Sequence, residues 1–145
     1  MKLIISEEQF KMIVENATIK NLEDYKKGKS GYFGYKIGKK DPNPDEILSK
    51  ISSIDGFLDL SYSKVTKLPN NLKVRGYVAL DNTKIEVLPN GFEVEGDLSL
   101  TNCRNLIDIP NDIIVNGNLV LKGKKFEKKE LTKRLPFVSN IIIMT

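Results

Sequence analysis

Four stretches of this chain align with one another, and no other feature constrains the fold as much. IDGFLDLSYSKVTKLPNNLK begins at Ile54, VRGYVALDNTKIEVLPNGFE at Val74, VEGDLSLTNCRNLIDIPNDII at Val94 and VNGNLVLKGKKF at Val115, giving offsets of 20, 20 and 21 residues. The extra residue falls at Arg104–Asn105, while Gly56, Gly76, Gly96 and Gly117 share one slot and Pro69, Pro89 and Pro110 another. A fixed period of this length overrides local propensity and marks a stacked-repeat architecture.

The apolar slots say what each unit does. Leu58/Leu60, Val78/Leu80, Leu98/Leu100 and Leu119/Leu121 alternate with polar-type residues, the period of a half-buried strand. Val65, Ile85, Leu106 and Phe126 follow, then Leu68, Leu88 and Ile109, then Leu72, Phe92 and Ile113. With Ile54, Val74, Val94 and Val115, each coil turns about six apolar side chains toward one axis. One coil cannot bury them alone, whereas stacked coils can. The spacing therefore predicts parallel pairing of successive strands, with a non-helical outer segment marked by the proline.

The pattern V-x-G-x-L-x-L-x-x-T-x-I-x-x-L-P-x-x-L resembles a short leucine-rich repeat over residues 54–126. It departs from the usual pattern at the ladder position, where Asn is common and this chain has Ser63, Thr83 and Cys103, followed by Gly123. Short hydroxyl or thiol groups there still bond a turning backbone, more weakly than an amide. The glycine-and-proline variant and the opening KLIISEEQF resemble small leucine-rich-repeat proteins of bacteriophages. The resemblance implies a solenoid whose sheet is a binding face.

The expected fold is α/β and β-rich: a solenoid of about five coils with a parallel sheet, closed by a helix/hairpin cap at the N-terminus and a helix-plus-strand cap at the C-terminus. It divides into a capping region at 1–53, repeats at 54–126 and a cap at 127–145, all one structural unit. Ser6 and Gln9 form a capping-box pattern for a helix from about Glu7 to Asn16. The Gly/aromatic/Lys stretch from Lys26 to Lys40 suits a hairpin, and Pro44 opens a second short helix to about Ser52. KKELTKRL reads as a helix, and FVSNIIIM as a fifth strand with Ile141 and Ile143 placed 22 residues after Leu119 and Leu121.

Composition removes much chemistry. The chain has no histidine, hence no imidazole base, ligand or pH switch, and its one cysteine excludes an internal disulfide or a cysteine-cluster metal site. Cys103 has no histidine to activate it and occupies the slot of Ser63 and Thr83. Gly28-Lys29-Ser30 lacks the upstream glycine of a phosphate loop, Glu23 standing there. Asp59, Asp81, Asp97 and Asp108 fall in different slots, so no column of carboxylates forms. No catalytic residue, metal or cofactor is expected. Nor is a membrane segment, since no apolar run approaches the ~20 residues of a span and the N-terminus is too short for a signal core. A cytoplasmic setting is expected, the host cytoplasm if the chain is phage-encoded.

Two surfaces remain. With leucines inward, the outward positions form the rows Phe57–Tyr77–Asp97–Asn118, Asp59–Ala79–Ser99–Val120 and Ser61–Asp81–Thr101–Lys122. Two aromatics among acidic and hydroxyl groups resemble the centre and rim of a protein-binding patch, unless the N-terminal cap folds over them. The leading expectation is thus a non-enzymatic protein–protein interaction module presenting a rigid sheet to a macromolecular partner, such as a phage accessory protein binding or inhibiting a host defence protein. The alternatives are a virion structural component and a nucleic-acid-binding accessory protein. The last would use Lys26, Lys27, Lys29, Tyr32, Phe33, Tyr35 and Lys36, with Lys128, Lys129, Lys133 and Arg134 on the basic helix. Charge is segregated: residues 51–121 hold 6 basic and 9 acidic groups, and residues 122–145 hold 7 and 2. The apolar edge of the last strand also suits homodimerisation.

Overall fold

The computed structural model describes residues 4–5, 34–123 and 125–145. Ten strands run β1 Ile4–Ile5, β2 Gly34–Lys36, β3 Ser53–Ile54, β4 Phe57–Asp59, β5 Lys73–Val74, β6 Val78–Ala79, β7 Glu93–Val94, β8 Leu98–Leu100, β9 Ile114–Lys122 and β10 Val138–Met144. Two short helices, α1 Asp45–Leu48 and α2 Lys128–Arg134, complete the described elements. The result is a β-rich solenoid of about five turns in which every strand pairing is parallel.

The pairings form two ladders. The main one runs β2, β4, β6, β8, β9 and β10, with Leu58 opposite Val78, Val78 opposite Leu98, Leu98 opposite Leu119 and Leu119 opposite Ile141. The minor one runs β1, β3, β5, β7 and β9 through Ile54, Val74, Val94 and Val115. The nine-residue β9 belongs to both and joins them.

The glycine slot is the corner between the ladders. Gly76 N–H donates to the Gly56 carbonyl at 2.9 Å, Gly96 to Gly76 at 3.1 Å and Gly117 to Gly96 at 3.0 Å. The backbones approach so closely that a Cβ on Gly76 would stand 2.9 Å from the carbonyl carbon and oxygen of Gly56, and one on Gly117 would stand 2.7 Å from those of Gly96. Glycine is required here by contact with the neighbouring coil, since no side-chain carbon fits.

The predicted inward slots are buried from Ile54 to Leu121, and Phe126 and Ile143 are half-buried against the same core. In the third coil Val94, Leu98, Leu100, Leu106, Ile109 and Ile113 are at most 2% exposed. The additional residue at Arg104–Asn105 is accommodated in an exposed turn, after which Leu106 returns to the core. Each buried Leu, Ile or Val contributes about 1.5–3 kcal/mol, and none of it is available to an isolated coil.

One register differs from expectation. Leu100 pairs with Leu121, so Gly123 falls in the slot of Tyr62, Asn82 and Asn102, not in that of Ser63, Thr83 and Cys103. The backbone explains the slot: Tyr62, Asn82 and Asn102 have φ of 65°, 57° and 56°, and Gly123 has φ of 103°. The turn leaving each main strand needs left-handed conformation, which Gly and Asn adopt most readily.

Both ends carry covering elements. The expected N-terminal helix at 7–16 lies outside the described residues, as does 26–33. Gly34–Lys36 joins the main ladder in parallel, placing Tyr35 over Leu58 in the core, with Ile37 and Leu48 fully buried behind it. The helix after Pro44 is a single turn, shorter than expected, and Asp45 ties it to the first coil by accepting from Thr66 N–H and its hydroxyl. At the other end α2 replaces an outer segment, burying Leu131, while Leu135 after it is also buried, and β10 adds the last strand.

Candidate functional site

The main ladder's outward face brings the predicted residues into rows, because successive strands pair without a shift across β4, β6, β8 and the second half of β9. Phe57 and Tyr77 stack with centroids 5.0 Å apart and ring planes 5° from parallel. Phe57 is only 2% exposed, so the ring offered to solvent belongs to the half-buried Tyr77. Burial, and then the Asp59 carboxylate nearby, hold the Tyr77 phenol above its ordinary pKa, keeping it a neutral hydrogen-bond donor.

The stack continues into an amide row. Asp97 Oδ1 accepts from Asn118 N–H at 2.7 Å, and Asn140 Nδ2 donates to Asn118 Oδ1 at 2.9 Å. Asp81 Oδ1 accepts from the Ser99 hydroxyl at 2.6 Å and from Thr101 N–H at 2.8 Å, while Asp59 Oδ1 accepts from Ser61 N–H. Lys36 on β2 extends the middle row, its ammonium 3.9 Å from Asp59. Each carboxylate is therefore held by backbone or hydroxyl donors on a rigid sheet before any ligand arrives. Toward the C-terminal edge the face turns apolar through Val120, Ile142 and Met144, with Lys122 exposed among them.

The basic-aromatic group is not brought together in the same way. Lys26, Lys27, Lys29, Tyr32 and Phe33 lie outside the described residues. Tyr35 is fully buried, so its ring belongs to the core, whereas Lys36 is on the sheet face. Lys128, Lys129 and Lys133 are exposed on α2, while Arg134 turns back to bond Asp108 at 3.2 Å and the Ile109 carbonyl at 3.0 Å.

No family model, curated protein or solved structure matches this chain. The site therefore stands on its own geometry. Among the described residues no group of three His, Cys, Asp or Glu side chains could hold a metal ion, and no helix is long and apolar enough to cross a membrane. Cys103 is buried, its thiol 3.0 Å from the Leu80 carbonyl and 3.7 Å from Thr83 Oγ1. Burial raises its pKa more than the hydrogen bonds from the Thr83 hydroxyl and from the Thr83 and Asn82 backbone lower it.

Two features escaped the sequence reading. Tyr62, next to Ser61 in the turn that leaves the strand, is 61% exposed on a left-handed backbone. Its signal was present in the alignment, where the other coils carry Asn82, Asn102 and Gly123. The second is a charged groove of about 330 Å³ on the minor ladder, lined by Asp55, Lys73, Arg75, Glu93 and Glu95. Two ion pairs lie within it, Arg75 to Asp55 at 2.9 Å and Lys73 to Glu93 at 3.8 Å.

Proposed function

We propose that the protein is a non-enzymatic interaction module whose main-ladder face docks a protein partner. The observation that carries this is the half-buried Tyr77 ring, braced flat on the buried Phe57 and surrounded by pre-bonded polar groups. A rigid aromatic anchor loses little entropy on binding and suits the centre of an interface. Asp59, Asp81, Asp97, Ser99, Thr101 and Asn118 form the rim, and their excess of carboxylates favours a basic partner surface. The resemblance to small leucine-rich-repeat proteins of bacteriophages supports a host or phage macromolecule as that partner, met in the host cytoplasm.

The test is affinity capture with the wild-type chain and with Tyr77→Ala, each with and without nuclease. A stoichiometric protein that survives nuclease and is lost with Tyr77→Ala, while the variant keeps its melting temperature, supports the reading. Capture unaffected by Tyr77→Ala removes the sheet face, and capture abolished by nuclease transfers the function to the lysines of α2.

A further inference from the structure

One outward slot of the repeat carries the same charge in every coil. With Leu60, Leu80, Leu100 and Leu121 aligned by the strand register, the position four residues later holds Lys64, Lys84, Arg104 and Lys125. No other exposed slot is charged in all four coils; on the minor ladder Asp55, Arg75, Glu95 and Asn116 change sign from coil to coil. The four cations are exposed. Lys64 and Lys84 stand between buried neighbours, Ser63 and Val65, then Thr83 and Ile85, and Arg104 follows the buried Cys103. The turn before the slot is fixed from inside, since the Thr83 hydroxyl and the Cys103 thiol both donate to the Leu80 carbonyl, at 2.8 and 3.0 Å. The column is continuous from coil to coil, Lys125 Nζ donating to the Arg104 carbonyl at 3.3 Å. Coils stacked at about 4.8 Å spread the four cations over roughly 14 Å. Like charges at this spacing repel, a cost that the fold does not require. Among the described residues none of the four lies within ion-pairing distance of a carboxylate. Carboxylates flank the column instead, Asp81 on the sheet before the turn, and Glu86 and Glu127 two residues beyond Lys84 and Lys125.

We infer that this column is a track for the phosphate backbone of a single-stranded nucleic acid. The strip is one residue wide, and the carboxylates on either side repel a broad anionic surface such as a membrane or a duplex laid across the coils. A flexible single strand can follow a line of cations, each neutralised phosphate releasing a counterion. Tyr62 selects nucleic acid over an acidic polypeptide. It stands two residues before Lys64, 61% exposed and with φ of 65°, so its ring offers a base a stacking platform at the head of the column. Strain kept in an aromatic residue that packs so little is characteristic of a binding site. The column lies past the turn that ends each main strand, so this surface is separate from the proposed protein-docking face and does not depend on it.

Fluorescence anisotropy of a labelled oligouridylate of about twelve nucleotides, titrated with the full chain across a salt series, tests the inference. Binding should weaken with a log–log slope of about −2 to −3, the value for three or four phosphates of a single strand. Lys84→Gln with Arg104→Gln should weaken it about tenfold or more at low salt and make the slope shallower by about 1.4. Tyr62→Asn should weaken it about fivefold or more with the slope unchanged. Lys39→Gln with Lys40→Gln removes the same charge elsewhere and should change little, as should Tyr77→Ala. Circular dichroism establishes that every variant folds. Absence of binding at low salt overturns the inference, and so does an equal loss in the variant of Lys39 and Lys40, which reports net charge alone. A loss caused by Lys128→Gln with Lys129→Gln and not by the column variant moves the site to α2 and overturns it too. Polyglutamate that displaces the oligonucleotide as readily as unlabelled oligouridylate assigns the column to an acidic polypeptide and overturns it as well.

Discussion

Tyr62 is the residue whose backbone and side chain disagree most. Left-handed φ costs a bulky L-residue about 1–3 kcal/mol, and an aromatic ring that is 61% exposed recovers little of it by packing. Tyr62→Asn should therefore raise the unfolding free energy by roughly 0.5–1 kcal/mol, as seen in the denaturant midpoint, because Asn82 and Asn102 already hold this conformation. If the ring belongs to the interface, the same variant weakens the partner complex, and stability and binding move in opposite directions. Cys103 makes a different statement. Its folded-state pKa is raised, chiefly by burial, so its contribution to stability is complete below the ordinary thiol value. That contribution is lost as pH climbs through the raised value. Stability should fall between neutral pH and about 10 more steeply in the wild type than in Cys103→Thr, and parallel curves for the two proteins would show that the thiol does not titrate on unfolding.

At the scale of the element, the coil was legible and the corner was not. Alternation at Leu98 and Leu100 gives the strand, and the 22-residue offset of Ile141 and Ile143 gives the last one, in the register observed. Apolar period is a statement about which side is wet, and the core is the only dry side. The glycine column carries no such signal, because what excludes a Cβ is the next coil's backbone, 20 residues away in sequence. The minor ladder thus stayed hidden, and the burial of Phe57, whose slot equals that of the half-buried Tyr77, stood only as the alternative of a covering cap. Two substitutions separate these causes. Leu100→Asp places a charge where exposure is 2% and should abolish cooperative folding by circular dichroism. Gly96→Ala keeps the apolar pattern yet drives a Cβ to 3.0 Å from three backbone atoms, Gly76 C and O and Tyr77 N. It should cost about 1–3 kcal/mol with the fold retained, and a neutral Gly96→Ala in chemical denaturation would mean the corner yields.

Over the whole molecule the charge is sorted by surface, and this decides how the proposed partner face responds to salt. The sheet face holds Asp59, Asp81 and Asp97, whereas residues 122–145 carry 7 basic and 2 acidic groups around the neutral edge strand. A basic partner approaching the carboxylates is steered toward them, so its association rate should fall about tenfold between low and high ionic strength, with dissociation little changed. An oligonucleotide held by Lys128, Lys129 and Lys133 would instead lose affinity with a log–log slope of about −0.7 to −0.9 per phosphate contacted. Stopped-flow association with the captured partner across a salt series reads the sheet face. Partner association that is indifferent to salt sinks the acidic face as the docking surface.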